Sequence, residues 1–286
     1  DFFATTYFGP GGSLTSELPA FNAYIEKVSG IMNRGRTYSD VAVYIPYEDG
    51  VMRGAYPPER QRVWVWGEYE MRYVDIPVEL QGYHPLWINR HFLDKAVFRD
   101  GHLVVGDACF TMLYLDVNYL DLRTLRRIHT LAKAGLKVCL KRTPAQPGRN
   151  KSEDFGLLLK ALAGLPNVSE DFESLMDHPP LIQGQDLPPY WCRVEPDGTY
   201  YLFLAQPKAR DVVYPVYSGQ SSMKESETRE INLYIHGHEI ARRLEYKPYQ
   251  SLMLRVSQEG RVELIDISFI PDDPVVRPRE EQRMYF

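Results

Sequence analysis

Glu48 and Asp49 fall directly behind the apolar run Val41–Ile45, and Asp116, with Asn118 close after it, falls behind Thr111–Leu115. In an open α/β sheet ligands bind beyond the carboxyl ends of the strands, so these three carboxyl groups could converge there as a proton donor and a base. The competing reading is that acidic residues in such loops cap helices or face water. His236-Gly237-His238 could aim two imidazoles at a metal from one face of a strand, but Gly237 suits a hairpin turn better and no third ligand is near. Cys109, Cys139 and Cys192 are odd in number, far apart and without the paired spacing of zinc or redox sites. They read as small buried apolar side chains, and neither a metal nor a cofactor is expected. A last group is aromatic. Trp191, Tyr200 and Tyr201, with Tyr190, Tyr214 and Tyr217 near them in sequence, could form a flat platform that stacks on sugar rings, although alternating aromatics in strands also serve as core and cross-strand pairs.

The elements that must position these residues fall into three stretches. Asp1–Phe8 is β-prone and is broken by Gly9-Pro10-Gly11-Gly12; a helix follows, with Leu18, Phe21, Ile25, Val28 and Met32 at spacings of three and four, Ser16 as cap and Gly35 as stop. From Asp40, buried strands alternate with helices, the pattern of a parallel sheet covered on both faces. Val41–Ile45, Leu103–Val105, Thr111–Leu115 and Leu136–Leu140 read as strands. His84–Val97, the stretch Asp121 to Gly135, and Ser152 to Gly164 read as helices, and Arg62–Trp66 with Met71–Ile76 as an inserted hairpin. Between Asn167 and Pro189 no period persists, and two Pro-Pro pairs mark a linker. Beyond it the chain is all strand: Tyr190–Val194, Thr199–Ala205, Asp211–Tyr217, Ile231–Ile235, Glu239–Leu244, Ser251–Ser257 and Arg261–Phe269, with turns at Asp197-Gly198, Gly237 and Glu259-Gly260. The expected fold is a small doubly wound, flavodoxin-like α/β domain followed by an antiparallel β-sandwich, with the charged tail Pro274–Phe286 along the surface.

Composition narrows the function classes. The 286 residues suffice for two domains, and 44% hydrophobic with 25% charged residues is ordinary for a compact globular chain. A formal charge of −5 with scattered Lys and Arg gives no footprint for nucleic acid or anionic lipid, and no apolar run is long enough to span a membrane. Asp1 opens the chain without Met or a basic leader, so the expectation is that the sequence begins inside a longer protein. Twenty Tyr suit wet, sugar-facing surfaces and strands alike.

The order of segments resembles that of the large α-L-rhamnosidase-type glycoside hydrolases. Tyr7-Phe8-Gly9-Pro10, the helix from Phe21-Asn22-Ala23-Tyr24 to Gly35, and Asp40-Val41-Ala42-Val43-Tyr44-Ile45-Pro46 resemble the end of that family's catalytic barrel and the start of its next domain. Asp100-Gly101-His102-Leu103, Thr111–Leu115 and Leu125–Gly135 with Val138 resemble its α/β domain, which is similar to the class I glutamine amidotransferase fold. Arg193-Val194-Glu195-Pro196-Asp197-Gly198-Thr199-Tyr200-Tyr201-Leu202 and Pro248-Tyr249-Gln250-Ser251-Leu252-Met253-Leu254 resemble strands of its C-terminal sandwich.

The resemblance implies three parts: residues 1–38 as the last strand and helix of a barrel, 39–178 as the amidotransferase-like domain, and 179–286 as the sandwich. It implies an oligosaccharide or glycoside substrate, cleaved by two carboxylates of a barrel upstream of Asp1. Thr6, Tyr7 and Phe8 would then be the residues near the sugar, and no catalytic residue is carried over. An amidotransferase triad would need a Cys on a sharp strand-to-helix turn; Cys139 lies inside its strand, and the turn reads Lys141-Arg142-Thr143-Pro144. The segment alone is therefore expected to be non-catalytic, a structural and assembly portion of its parent. A carbohydrate-binding sandwich and an independent α/β hydrolase at Glu48, Asp49 and Asp116 are the alternatives. The resemblance also suggests a secreted or periplasmic protein, and the sequence leaves homo-oligomerisation open.

Overall fold

A computed structural model describes residues 15–16, 18–53, 76–149, 151–210 and 225–268. Thr6, Tyr7, Phe8, the expected strand Asp211–Tyr217, the tail Pro274–Phe286 and, apart from Ile76, the expected hairpin 62–76 lie outside them. The chain is an α/β domain followed by a β-sandwich-like part. Helix α1 (Leu18–Met32) forms where its period predicts. Its half-buried positions are Leu18, Tyr24, Val28, Ile31 and Met32, while Phe21 and Ile25 stay 42% and 45% exposed. The short strand β1 (Arg36–Thr37) follows.

The α/β domain runs through β2 (Val41–Tyr44), α2 (Tyr47–Arg53), β3 (Leu86–Ile88), α3 (Arg90–Lys95), the three-strand meander β4 (Val97–Arg99), β5 (His102–Val105) and β6 (Ala108–Phe110), then β7 (Met112–Leu115), α4 (Leu122–Lys133), β8 (Lys137–Leu140), α5 (Glu153–Ala163) and β9 (Val168–Ser169). Strands β3-β2-β7-β8-β9 pair in that order, all parallel. This is the 2-1-3-4-5 order of a flavodoxin-like sheet. Every residue of β2 and β7 is buried, as uninterrupted apolar runs in a parallel sheet require.

Alternation along the strands separates two layers. Ala42, Tyr44, Leu113, Leu115 and Val138 pack under α4 and α5 through Leu125, Ile128 and Leu162. On the opposite face Val41, Val43, Met112, Tyr114 and Cys139 meet Leu80, Tyr83, Phe172 and Leu175, contributed by short 3-10 turns and loops rather than long helices. Asp121 caps α4 by accepting the Thr124 amide at 2.9 Å and the Thr124 hydroxyl at 2.6 Å.

The expected helix His84–Val97 is not one element. Leu86–Ile88 is a strand, Asn89 accepts the Phe92 amide to start a six-residue helix, and Val97 opens a strand. Asn89 is the N-cap signal that divides the stretch. The linker before Pro189 also carries structure, including β9 and, further on, β10 (Ile182–Gln183).

The sandwich adds β11 (Tyr190–Val194), β12 (Tyr200–Leu204), β13 (Glu227–Ile235), β14 (His238–Tyr246), β15 (Leu252–Val256) and β16 (Val262–Ile265). One sheet is β1-β11-β12-β15-β16 and the other β10-β13-β14, both antiparallel. Cys192, Leu202, Leu204, Leu254 and Val256 from the first interleave with Ile182, Leu233, Ile235, Leu244 and Tyr246 from the second. His236 and Gly237 turn the β13–β14 hairpin at φ 52° and 78°, the left-handed pair of a tight two-residue turn.

Strand β1, which lies within the stretch 1–38, pairs into the sandwich sheet. Thr37 pairs with Arg193, and α1 lies on β12, with the Arg34 guanidinium 5.6 Å from the centre of the Tyr201 ring. The Arg193 guanidinium donates to the Arg34 carbonyl at 2.9 Å, to the Gly35 carbonyl at 2.7 Å, and to the Thr37 hydroxyl. Gly35 is at φ +53°, and a Cβ there would sit 2.1 Å from the Val194 carbonyl oxygen. Only glycine fits this approach.

Candidate functional site

In a 2-1-3-4-5 sheet the strand order reverses between β2 and β7, and the crevice beyond their carboxyl ends is where ligands bind. The loops that line it are the start of α2 and the segment 116–121, so Glu48, Asp49 and Asp116 do reach the same edge. They do not form an open acid–base pair. Asp49, 6% exposed, turns across the crevice: its two oxygens accept the Asn118 amide N–H at 3.0 and 2.9 Å, the Asn118 Nδ2 at 2.8 Å and the Tyr119 amide at 2.7 Å. Asp116 is held by the Arg142 guanidinium, which also reaches the Asn118 side chain at 3.2 Å. The carboxylate of Asp49 thus sits on the backbone N–H groups that a bound anion would otherwise use.

Glu48 diverges from its neighbour and turns toward α4. It is 8% exposed, and the Tyr44 hydroxyl donates to it at 3.0 Å. Burial pushes its carboxyl above the usual range, with the neighbouring Asp121 carboxyl adding to the rise. Asp121 goes the other way: burial works against its charge, but the Thr124 hydroxyl and amide hydrogen bonds outweigh that and lower its pKa. Two carboxyls pushed apart are what an acid–base couple needs, yet Asp121 is occupied as the cap of α4 and Arg90 stands 3.6 Å away. Sequence reasoning missed this coupling because the two residues are remote in the chain. On the opposite face Glu79 accepts the Tyr114 hydroxyl at 2.6 Å and the Lys141 ammonium at 3.1 Å. Cys139 is fully buried in β8 and its thiol is pushed by burial to about 12, which removes its nucleophilic form at neutral pH.

The expected aromatic platform is divided by the pleat of the sheet. Trp191, 44% exposed, and Tyr201, 4% exposed, point to the outer face of the five-stranded sheet, where α1 covers Tyr201. Tyr200 points inward and packs against the Tyr38 and His236 rings at 5.5 and 5.2 Å. Successive residues of a strand face opposite sides, so Tyr200 and Tyr201 cannot share one surface. Among the described residues no group of three or more His, Cys, Asp or Glu is placed to hold a metal ion. The His236 Nε2–H donates to the Gly198 carbonyl at 2.8 Å.

No protein-family model, curated protein or solved structure matches the chain. The resemblance to rhamnosidase-type enzymes therefore stands on its residue pattern alone. Among the described residues no helix is long and apolar enough to cross a membrane.

A further polar cluster lies at the seam between the α/β domain and the sandwich. Asp40, 4% exposed, accepts the Tyr38 hydroxyl at 2.6 Å and stands 3.6 Å from His178 Nε2. Burial raises its carboxyl to about 6, while Tyr38, His178, Arg36 and His102 oppose the rise. His84, in the left-handed region at φ 51°, lies 2.5 Å from the Tyr38 carbonyl through Nδ1 and packs against Tyr190 and Trp191. Burial lowers its pKa to about 4. Its neutral ring donates Nδ1–H to that carbonyl, so the group joins the two parts rather than shuttling a proton at neutral pH.

Proposed function

We propose that this chain is a non-catalytic, structural and assembly portion of a carbohydrate-active glycoside hydrolase, whose parent cleaves terminal α-L-rhamnosides or related glycosides. The observation that supports the non-catalytic reading is the filled switch-point crevice. Asp49 occupies the backbone amides of the loop after β7, Asp116 is paired with Arg142, and Glu48 is closed in by Tyr44. At each of these three residues the carboxyl group is already engaged by the protein, and they turn to different partners instead of converging on one position as an acid and a base. The carbohydrate assignment rests on the segment order described above, and the α/β-then-sandwich architecture is compatible with it.

The test is an assay of the purified chain against aryl rhamnosides and aryl galactosides. We expect a folded, inert protein. Turnover well above buffer that is abolished by Glu48→Gln or Asp116→Asn would overturn the reading and restore the crevice as an active site.

A further inference from the structure

We infer that the outer face of the three-stranded sheet β10-β13-β14 is a binding site for a neutral saccharide, with Gln183 and Asn232 as its recognition groups. A trough of about 370 Å³ opens on this face, lined by residues that include Gln183, Gly184, Glu230, Asn232, Ala241 and Arg243. This lies in the usual range of small-molecule sites, about 300–1,000 Å³. The register explains its shape. Gln183, Asn232 and Ala241 form one cross-strand row, and Glu230 and Arg243 form the next. With strands about 4.8 Å apart and same-face neighbours about 6.8 Å apart along a strand, the two rows cover roughly 10 by 7 Å, the footprint of one or two pyranose rings. Ala241 leaves the floor low between its larger neighbours. Gly184 leaves one wall open because a Cβ there would stand 2.7 Å from the Glu230 carbonyl oxygen.

The chemistry of the lining selects the ligand class. The amides of Gln183 and Asn232 each carry a donor and an acceptor, which matches hydroxyl groups that do both. Neither makes a side-chain hydrogen bond to another described residue, in contrast to the amide of Asn118 at the crevice. Glu230 and Arg243 face each other across the pair of strands, and Arg243 is also 3.3 Å from Glu245. Arg242 also borders the trough, but it alternates to the other side of β14 and donates to the Ala241 carbonyl at 2.9 Å. On the face itself the charge of Arg243 is therefore offset by Glu230 and Glu245, which disfavours a phosphate or other anion. Ala241 is the one small apolar side chain on the floor, too little for an apolar ligand. What remains is a ligand that is neutral, polyhydroxylated and flat enough to lie on a sheet. The saccharide class leans on the proposed carbohydrate-active parent; the position of the site does not.

The test is native gel electrophoresis of the whole chain through gels containing galactomannan, xyloglucan or arabinogalactan. We expect retardation by at least one of the three. The doubly substituted Gln183→Ala/Asn232→Ala chain should bind it roughly five- to tenfold more weakly, as loss of two hydrogen-bonding groups implies, and Ala241→Trp, which fills the floor, should abolish retardation. Trp191→Ala, on the other sheet, should leave it unchanged. All three sites are on the surface, and unchanged thermal unfolding confirms that each variant is folded. Absence of retardation in all three gels, or retardation lost in Trp191→Ala but kept in Ala241→Trp, overturns the inference. Its failure is separable from that of the proposed function: an inert chain that binds no polysaccharide retains the structural role, and an active chain that still binds retains the trough.

Discussion

The carboxyl edge of the parallel sheet and the outer face of the three-stranded sheet carry the same kinds of side chain, and they are used in opposite ways. At the parallel edge an aspartate, an asparagine and an arginine are knotted together by the loops that follow the strands. On the antiparallel face a glutamate, an asparagine, a glutamine and an arginine stand in rows with open volume above them. The difference lies in what passes overhead. A parallel strand must be followed by a crossover, whose first residues fold back over the strand end; a hairpin returns within the sheet and leaves its face bare. Residue type alone therefore does not distinguish a site from a clamp.

Substitutions break the comparison in order of expected size. Asp49→Ala removes the acceptor of two backbone amides and a side-chain amide, and should destabilise by about 3 kcal/mol in urea unfolding, since buried donors are left unpaired. A loss under roughly 0.5 kcal/mol, the range of a neutral surface change, would mean the crevice is open. Arg193→Ala, which releases three acceptors on Arg34, Gly35 and Thr37, should cost about 1–2 kcal/mol by the same measurement. Arg142→Ala should cost only about 0.5 kcal/mol, because both partners of its ion pair with Asp116 are partly exposed. Gln183→Ala and Asn232→Ala on the bare face should be nearly silent, within about 0.5 kcal/mol.

Asp40 supplies an effect of a different kind, read from its dependence on pH. Its folded-state pKa is raised, so between about pH 4 and about pH 6 the native state holds a proton that the unfolded chain releases. Stability should fall as pH rises through that window, and Glu48, also raised, contributes in the same direction. Asp40→Asn keeps an acceptor for Tyr38 but removes the titration. The difference in unfolding free energy between wild type and variant should therefore change with pH between 4 and 6 and flatten above it. A difference that is constant with pH would show that Asp40 does not titrate in this range.

Much of the architecture was legible from local signals. Asp121 as cap, the buried stripe of α4 and the uninterrupted apolar strands β2 and β7 follow directly from residue type and period, and so does the turn at His236-Gly237. The misread stretch 84–97 contains a three-residue strand and a six-residue helix, both shorter than the window in which periodicity can be judged. The candidate site was legible only in part. Position after a strand placed Glu48, Asp49 and Asp116 at one edge, but their partners Tyr44, Asn118, Tyr119 and Arg142 come from other elements, and no local pattern announces such pairing. The aromatic platform failed for a simpler reason: Tyr200 and Tyr201 are adjacent in a strand, so one of them had to face the core. Gln183 and Asn232 are ordinary polar residues until β10 is seen beside β13.

The pairing of β1 with β11 gives the chain an unusual load path. Strand β1 enters the sandwich before the α/β domain and β11 resumes it afterwards, so a pull applied to α1 at one end and β16 at the other passes through the sandwich sheet. The α/β domain hangs from that sheet as a closed loop and carries no tension while the seam holds. Arg193 and the glycine at position 35 then act as the latch of a mechanical fuse: the seam must unzip before any strand of the parallel sheet is stretched.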